Sequence, residues 1–336
     1  RIKILPHHKV NYIIRGISQL TLPFLFFRKI KKYVKDKVDA VIISSPPLPL
    51  ALVGIKVKRH YGAKFILLIQ DIFPQNAVDI GVLRNKFLIK FFEWMERRIY
   101  KGADKITFHS EGGRQFLINK NRVPPEKIIA LYNWVDPAPY QNLIRDISFR
   151  KRYDLEGKFI FLFAGIIGPA QGLEFLVEIA RRVSDIQDII FLIVGDGMEK
   201  EKIQRMIADY SLTNMVIKSF VSKEDYPYLV KDADVGIVCI DSQNKIPFTP
   251  GKFLGYMAAA CPIVAFLNKE SDAFTLVETA NCGYAVESDK LQKAVNIVRK
   301  MFNEKDKIKQ MGENGLKYAL DNLTVDSCIK KIETLF

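Results

Sequence analysis

Cysteine is scarce in this chain: four residues in 336, Cys239, Cys261, Cys282 and Cys328, with no close pair among them. That spacing argues against both a zinc site and a disulfide framework, and it suits a reducing compartment. Long apolar runs are also missing. Leu20 to Phe27 is too short to cross a bilayer and is flanked by Arg28, Lys29, Lys31 and Lys32, while Val38 to Val57 is interrupted by Asp39 and by Ser44-Ser45-Pro46-Pro47. No secretory leader is read at the start. The chain opens on Arg1 rather than Met and lacks an initial glycine-rich strand and turn, so an N-terminal part is expected to be missing. A dinucleotide fingerprint is lacking as well, because Lys200 stands where the third glycine after Gly195-Asp196-Gly197 belongs.

What is present is a chain of ordinary globular composition, 49% hydrophobic and 26% charged, long enough for two domains with a core each. Its net charge of +14 is unevenly placed. Residues 1–140 hold 25 Lys/Arg against 10 Asp/Glu, whereas residues 141–336 hold 26 against 27. A basic half beside a neutral one points to a polyanionic partner for the first half, an anionic membrane surface or nucleic acid. Residues 10–35 alternate apolar and basic positions on a helical period, which fits a helix in the headgroup layer or one packed on its own sheet with a solvated basic edge. No nucleic-acid recognition motif is interleaved with the charge, so the membrane is favoured.

Apolar runs closed by polar, glycine or proline turns recur along the chain in the rhythm of alternating strands and helices. Strands are expected at 40–43, 65–69, 104–108 and 127–132, then at 159–164, 189–194, 215–219, 235–238 and 283–286. In open α/β sheets ligands bind at the carboxyl ends of strands. This makes candidates of Ser45 and Asp71 in the first half, Asp71 being either a cleft-facing carboxylate or a loop brace, while Glu111 at a helix start is read as a first-turn residue matched to the helix dipole. His109 reads as a structural residue. Helix 85–100 carries Phe87, Phe91, Trp94, Met95 and Ile99, an aromatic stripe expected in the core. In the second half Gly165 and Gly168 form a glycine-rich turn whose backbone can approach phosphate oxygens. Lys252 opens a short helix after Pro250-Gly251, where free N–H groups and a point charge suit a diphosphate. Asp232-Ala233-Asp234 looks like a metal-binding D-x-D but lies between a helix and a strand, so it is read as structural.

The segment Thr249 to Ala265, TPGKFLGYMAAACPIVA, resembles the "PSK…EYMAAGKPIV" segment of family 4 glycosyltransferases of the GT-B fold, in particular the bacterial O-antigen and capsule branch. Gly165 to Leu173 is similar to that family's "GNxGxxQGL". Ser44 to Pro47, Gln70 to Pro74, Ser110 to Gly112 and Asn133 to Asp136 resemble its "SSPP", "DLWPE", "SEG" and "PNGVD".

The resemblance implies two Rossmann-like domains facing a cleft. Residues 1–140 would form the acceptor side, with helix 321–336 returning to it, and 141–320 the nucleotide-sugar side. It implies a metal-independent, cofactor-free, retaining transfer from a nucleotide diphosphate sugar, UDP foremost, to a lipid-linked or saccharide acceptor on the cytoplasmic face of the membrane. Asp71 and Lys252 are the catalytic candidates; Gly165, Gly168, Gln171, Asp196, Phe220, Val221, Lys252, Phe253 and Gly255 are the donor-binding ones; Ser45 and Glu111 are the acceptor-side ones. A related nucleotide-sugar epimerase and a non-catalytic binding protein are the alternatives. Three positions depart from the family: Gly255 replaces a Glu that grips the ribose, Ala260 replaces a turn glycine, and Gln171 stands where a basic pair often serves the diphosphate.

Overall fold

The computed structural model describes residues 12–335. Contacts divide the chain into a first unit ending at Leu131 and a second spanning Tyr132–Thr334. The expected missing strand and residues 10 and 11 of the basic stretch lie outside the described residues.

In the first unit, helix α1 (Tyr12–Tyr33) leads to strand β1 (Ala40–Ser45), α2 (Leu52–Tyr61), β2 (Lys64–Ile69), the short α3 (Gln75–Asp79), α4 (Lys86–Gly102), β3 (Lys105–Phe108), α5 (Glu111–Asn119) and β4 (Ile128–Ala130). The four strands pair in parallel in the order β1-β2-β3-β4, with Ile42 opposite Ile66 and Leu67 opposite Ile106. Runs such as Phe65-Ile66-Leu67 are wholly buried, as expected of strands covered on both faces. Asp104 fixes the sheet's amino edge by accepting from the Phe65 N–H and from Lys58. Asn85 caps α4 by accepting from the N–H groups of Phe87 and Leu88.

One expectation fails here. Met95 and Ile99 of α4 are buried, but Phe87 is 86% exposed, Phe91 39% and Trp94 50%. The helix has two apolar faces, and the aromatic one points to solvent.

The second unit runs α6 (Ala138–Gln141), α7 (Phe149–Arg152), β5 (Phe159–Ile166), α8 (Leu173–Arg182), β6 (Ile189–Asp196), α9 (Lys200–Asp209), β7 (Met215–Lys218), α10 (Tyr226–Lys231) and β8 (Val235–Cys239). It continues with α11 (Lys252–Ala258), β9 (Ile263–Leu267), α12 (Ala273–Ala280), β10 (Gly283–Glu287), α13 (Leu291–Asn303), α14 (Lys305–Asn322) and α15 (Val325–Glu333). Its six parallel strands lie in the order β10-β9-β8-β5-β6-β7. The alternation of β5 explains the two cores: Phe159, Phe161 and Phe163 enter one, Ile160, Leu162 and Ala164 the other. Chain order runs outward in both directions from the β5–β8 pair, so the sheet has its topological switch point there, and in such sheets the ligand crevice opens at the carboxyl ends of those two strands.

The D-x-D carboxylates are spent on this framework. Asp232 accepts from the N–H groups of Phe149 and Arg150 and so fixes the start of α7. Asp234 accepts from the Ile160 N–H at 2.7 Å and pairs with Arg150 at 2.6 Å. Helix α15 belongs to the second unit, where the Cys328 Sγ–H points at the Tyr132 carbonyl. All four cysteines are buried thiols.

Candidate functional site

The carboxyl end of β5 carries Gly165 at φ +147°, a conformation that side chains rarely adopt. A Cβ built there would stand 2.8 Å from Lys252 Cε and 3.0 Å from Lys252 Nζ. The amine of α11 therefore lies directly on the glycine of the β5 turn, at the switch point that the sheet topology marks out. Its ammonium is 4.6 Å from the centroid of the Phe163 ring and has no carboxylate partner among the described residues. Burial away from water lowers its pKa to about 8. A cation held desolvated and without a carboxylate partner beside a glycine turn is a candidate contact for an anionic ligand.

At the start of α11 the Phe253 and Leu254 N–H groups are donated to the Pro250 and Gly251 carbonyls. Phe253 itself is fully buried in the core and presents no side chain to a ligand.

Around this point the second unit gathers most of the other donor candidates. Gly168 is extended at φ −143°, and a Cβ there would meet Gln171 Oε1 at 3.3 Å, so the Gln171 amide is folded over it. Asp241, just past β8, accepts the Gln243 N–H on its own carboxylate and donates its backbone N–H to the Ala170 carbonyl, tying the two strand-end loops together. Asp196 ends β6, exposed, holding the Gly197 N–H and lying 3.8 Å from Lys200. Phe220 follows β7 exposed to solvent, while Val221 packs back on the core. Sequence reasoning missed two neighbours of Phe220. Ile166 and Met198 are also strongly exposed apolar side chains, and they stand at the carboxyl ends of β5 and β6, the two strands next in line from β7. Three large apolar side chains are thus exposed at the ends of adjacent strands. Their position at or just past the end of an apolar strand was the available signal.

Gly255, one turn along α11 from Lys252, is buried. A Cβ there would meet Tyr140 Oη at 3.1 Å, Tyr226 Cε1 at 3.1 Å and Tyr226 Oη at 3.2 Å. The two rings meet edge to face at 6.4 Å, and burial raises both phenol pKa values, so both hydroxyls are neutral donors. The space a longer side chain would occupy is filled by two tyrosines rather than by a carboxylate.

In the first unit the candidates are more constrained. Asp71, just past β2, accepts from Asn76 Nδ2 on both carboxylate oxygens, at 3.0 and 3.1 Å, and burial raises its pKa. Ser45 is buried, and its carbonyl accepts the Gln70 N–H. Glu111 is used within α5, pairing with Arg114 at 2.7 Å and accepting from Gln115. His109 is buried against the Phe108 ring.

Comparison with known proteins agrees with this geometry. Residues 145–318 match the family described as glycosyl transferases group 1, and residues 3–139 match glycosyltransferase family 4. The chain is 23% identical over 287 residues to a probable glycosyltransferase, WbjE, of Pseudomonas aeruginosa, covering 82% of this chain and 69% of that protein. It is 27% identical over 249 residues to the putative colanic acid biosynthesis glycosyl transferase WcaI of Escherichia coli K12, covering 72% of this chain and 61% of that protein. Among solved structures it is similar to HepE of Anabaena in complex with UDP, with a TM-score of 0.74 at 18% identity over 95% of this chain and 83% of that one. The sucrose-phosphate synthase of Thermosynechococcus elongatus gives a TM-score of 0.77 at 14% identity, over 100% and 81% of the two chains. With a group 1 match over most of the second unit and a family 4 match over the first, the chain belongs to the group 1 glycosyltransferases and has the GT-B fold.

Proposed function

We propose that this chain transfers a glycosyl group from a nucleotide diphosphate sugar, UDP foremost, to a lipid-linked or saccharide acceptor in cell-surface polysaccharide synthesis, with retention of anomeric configuration. One observation carries the reading: the uncompensated Lys252 ammonium resting on Gly165 at the β5–β8 switch point. There it would neutralise the diphosphate as it leaves, a charge that grows in the transition state and is worth most where water is excluded. Ile166, Met198 and Phe220 would receive the base, and the Gly165–Gly168 turn the phosphates. In the transfer the bond from the anomeric carbon to the diphosphate oxygen breaks. The acceptor oxygen bonds to that carbon on the same face, and its proton leaves with the departing phosphate. The strand-end loops of the first unit, with Asp71, Ser45 and Glu111, are the candidates for the acceptor.

The UDP complex of HepE supports a nucleotide donor, and the similarity to WbjE and WcaI supports the polysaccharide setting. The excess of basic residues in the first half supports a peripheral position on the cytoplasmic side of an anionic membrane. Neither a nucleotide-sugar epimerase nor a non-catalytic role has an observation in its favour. Calorimetric titration with a panel of nucleotide diphosphates and their sugars tests the reading. Micromolar binding of a uridine nucleotide that Lys252→Met weakens at least about tenfold is expected, and failure of every nucleotide to bind would remove the proposal.

A further inference from the structure

We infer that α4 is the element by which the first unit rests on an anionic bilayer, with Phe87, Phe91 and Trp94 entering the headgroup boundary. The inference deepens the membrane-side part of the reading above and rests on it. The three residues recur at positions i, i+4 and i+7 and form one ridge on the solvent side of the helix, extended by the half-exposed Leu88. Phe91 and Trp94 stack at 6.2 Å, and the Arg98 guanidinium lies 5.6 Å from the Trp94 ring. A contiguous exposed aromatic ridge is not the scatter of single apolar residues that any protein surface shows.

The charges around the ridge identify what covers it. Lys86, Lys90, Arg97, Arg98 and Lys101 are all exposed on the same helix. Of the two acids in α4, Glu96 is buried and Glu93 is only partly exposed and faces Arg97 at 3.9 Å. Aromatic rings bordered by Lys and Arg match the depth profile of a bilayer surface, where rings sit among headgroups and cations reach the phosphates. A second copy of this chain fits less well, because a two-fold contact through this ridge would set the same basic flanks against each other. Helix α1 also carries exposed apolar and basic residues. It packs, as α4 does, on α2 and on the turn Leu48–Ala51, and it exposes Leu20 and Phe24 beside Arg28 and Lys29. The Lys56 ammonium stands 3.8 Å from the Phe24 ring.

The test uses the whole chain without donor or acceptor, so its failure leaves the transferase reading standing. The chain has two tryptophans, and Trp134→Phe leaves Trp94 as the only emitter. With vesicles of equimolar phosphatidylcholine and phosphatidylglycerol, Trp94 emission is expected to shift to the blue and to be quenched by brominated acyl chains. Vesicles of phosphatidylcholine alone are expected to give on the order of tenfold weaker binding. Phe87→Ser with Phe91→Ser and Trp94→Ser, at exposed positions and with thermal unfolding unchanged, is expected to cut flotation at least tenfold. The inference is overturned if that triple variant floats as well as the parent chain. It is overturned equally if Trp94 stays unquenched on vesicles that bind the chain, or if its blue shift tracks protein concentration without vesicles, which would mark a contact between copies.

Discussion

Replacing Lys252 by methionine separates what the fold wants from what the ligand wants. The drop in its pKa from 10.5 to about 8, at about 1.4 kcal/mol per tenfold change in proton affinity, corresponds to about 3 kcal/mol charged against the folded state at neutral pH. The sign follows from the direction. Below about pH 8 the amine is charged in both folded and unfolded chains and the cost is present in full. It shrinks as pH rises from about 8 to 10.5, where the folded form is neutral, and is gone above that window. The Phe163 ring returns part of the cost, roughly 1 to 2 kcal/mol for a desolvated cation over an aromatic face. Methionine keeps an unbranched stem of similar volume and carries no charge. Lys252→Met is therefore expected to stabilise the chain by about 1 to 2 kcal/mol at pH 7, read as a rise of roughly 2 to 8 °C in the melting temperature.

Nucleotide binding should move the other way. A diphosphate beside Lys252 restores its charge, and losing that charge-assisted contact costs roughly 1.5 to 3 kcal/mol, or about tenfold to over a hundredfold in the UDP dissociation constant. With Lys present, affinity is expected to be level near pH 7 and to weaken about tenfold per unit above about pH 8, with proton uptake on binding seen by calorimetry in buffers of different ionisation enthalpy. The methionine variant should show neither dependence. A variant that melts lower than the parent, or that binds UDP with unchanged affinity and pH profile, would refute the reasoning.

Gly168 allows a second test, because its backbone at φ −143° does not require glycine and a Cβ there would meet only side-chain atoms, Gln171 Oε1 at 3.3 Å and Ile166 Cγ2 at 3.6 Å. Gly168→Ala should melt within about 0.5 kcal/mol of the parent yet lose UDP affinity in titration, since the added methyl occupies the phosphate side of the turn. Gly255→Glu, which restores the family's side chain, must displace Tyr140 and Tyr226 and is expected to cost roughly 1 to 3 kcal/mol by denaturant unfolding, with no gain in UDP affinity. Glu96 lies buried with its pKa raised to about 7, accepting from Tyr100 and Asn121. A raised carboxyl favours folding fully below about pH 4.5 and loses that contribution as pH passes through 7, so Glu96→Gln should be the more stable form at pH 8, by up to about 3 kcal/mol in urea melts, and should show a flatter stability profile.

The parallel strands were legible because their apolar runs are continuous and end in turn residues, and the switch point followed once their order was known. Two features were beyond periodicity. The stripe in α4 announces an apolar face without saying whether protein or solvent lies against it, and this helix has one of each. The space beside Gly255 is filled by Tyr140 and Tyr226, which reach it from separate stretches of the chain, so no local pattern could reveal them. Ala260 is intermediate. Its sequence position called for a turn glycine, and the chain keeps the left-handed backbone at φ +52° with a side chain in place, at a cost of roughly 1 to 2 kcal/mol.

Lys252, Asp71 and Glu96 share one property: burial is the leading cause of each shifted pKa, and none has a salt-bridge partner among the described residues. What separates them is hydrogen bonding and place. Glu96 has donors on both oxygens and faces inward from the middle of α4, so its cost is one the fold tolerates. Lys252 has no acceptor among the described residues and stands at the switch point, where the proposed diphosphate would meet its charge. Asp71 has the Asn76 amide on both oxygens, as a loop brace would, but it also ends a central strand where substrates of such sheets bind. Asp71→Asn keeps the shape and one acceptor oxygen while removing the charge that burial disfavours. If Asp71 acts on the acceptor, the variant should melt no lower than the parent, bind UDP unchanged on the second unit, and lose at least about a hundredfold in transfer rate. Full activity with altered melting would make Asp71 a brace of the β2–α3 loop and leave the catalytic charge to Lys252.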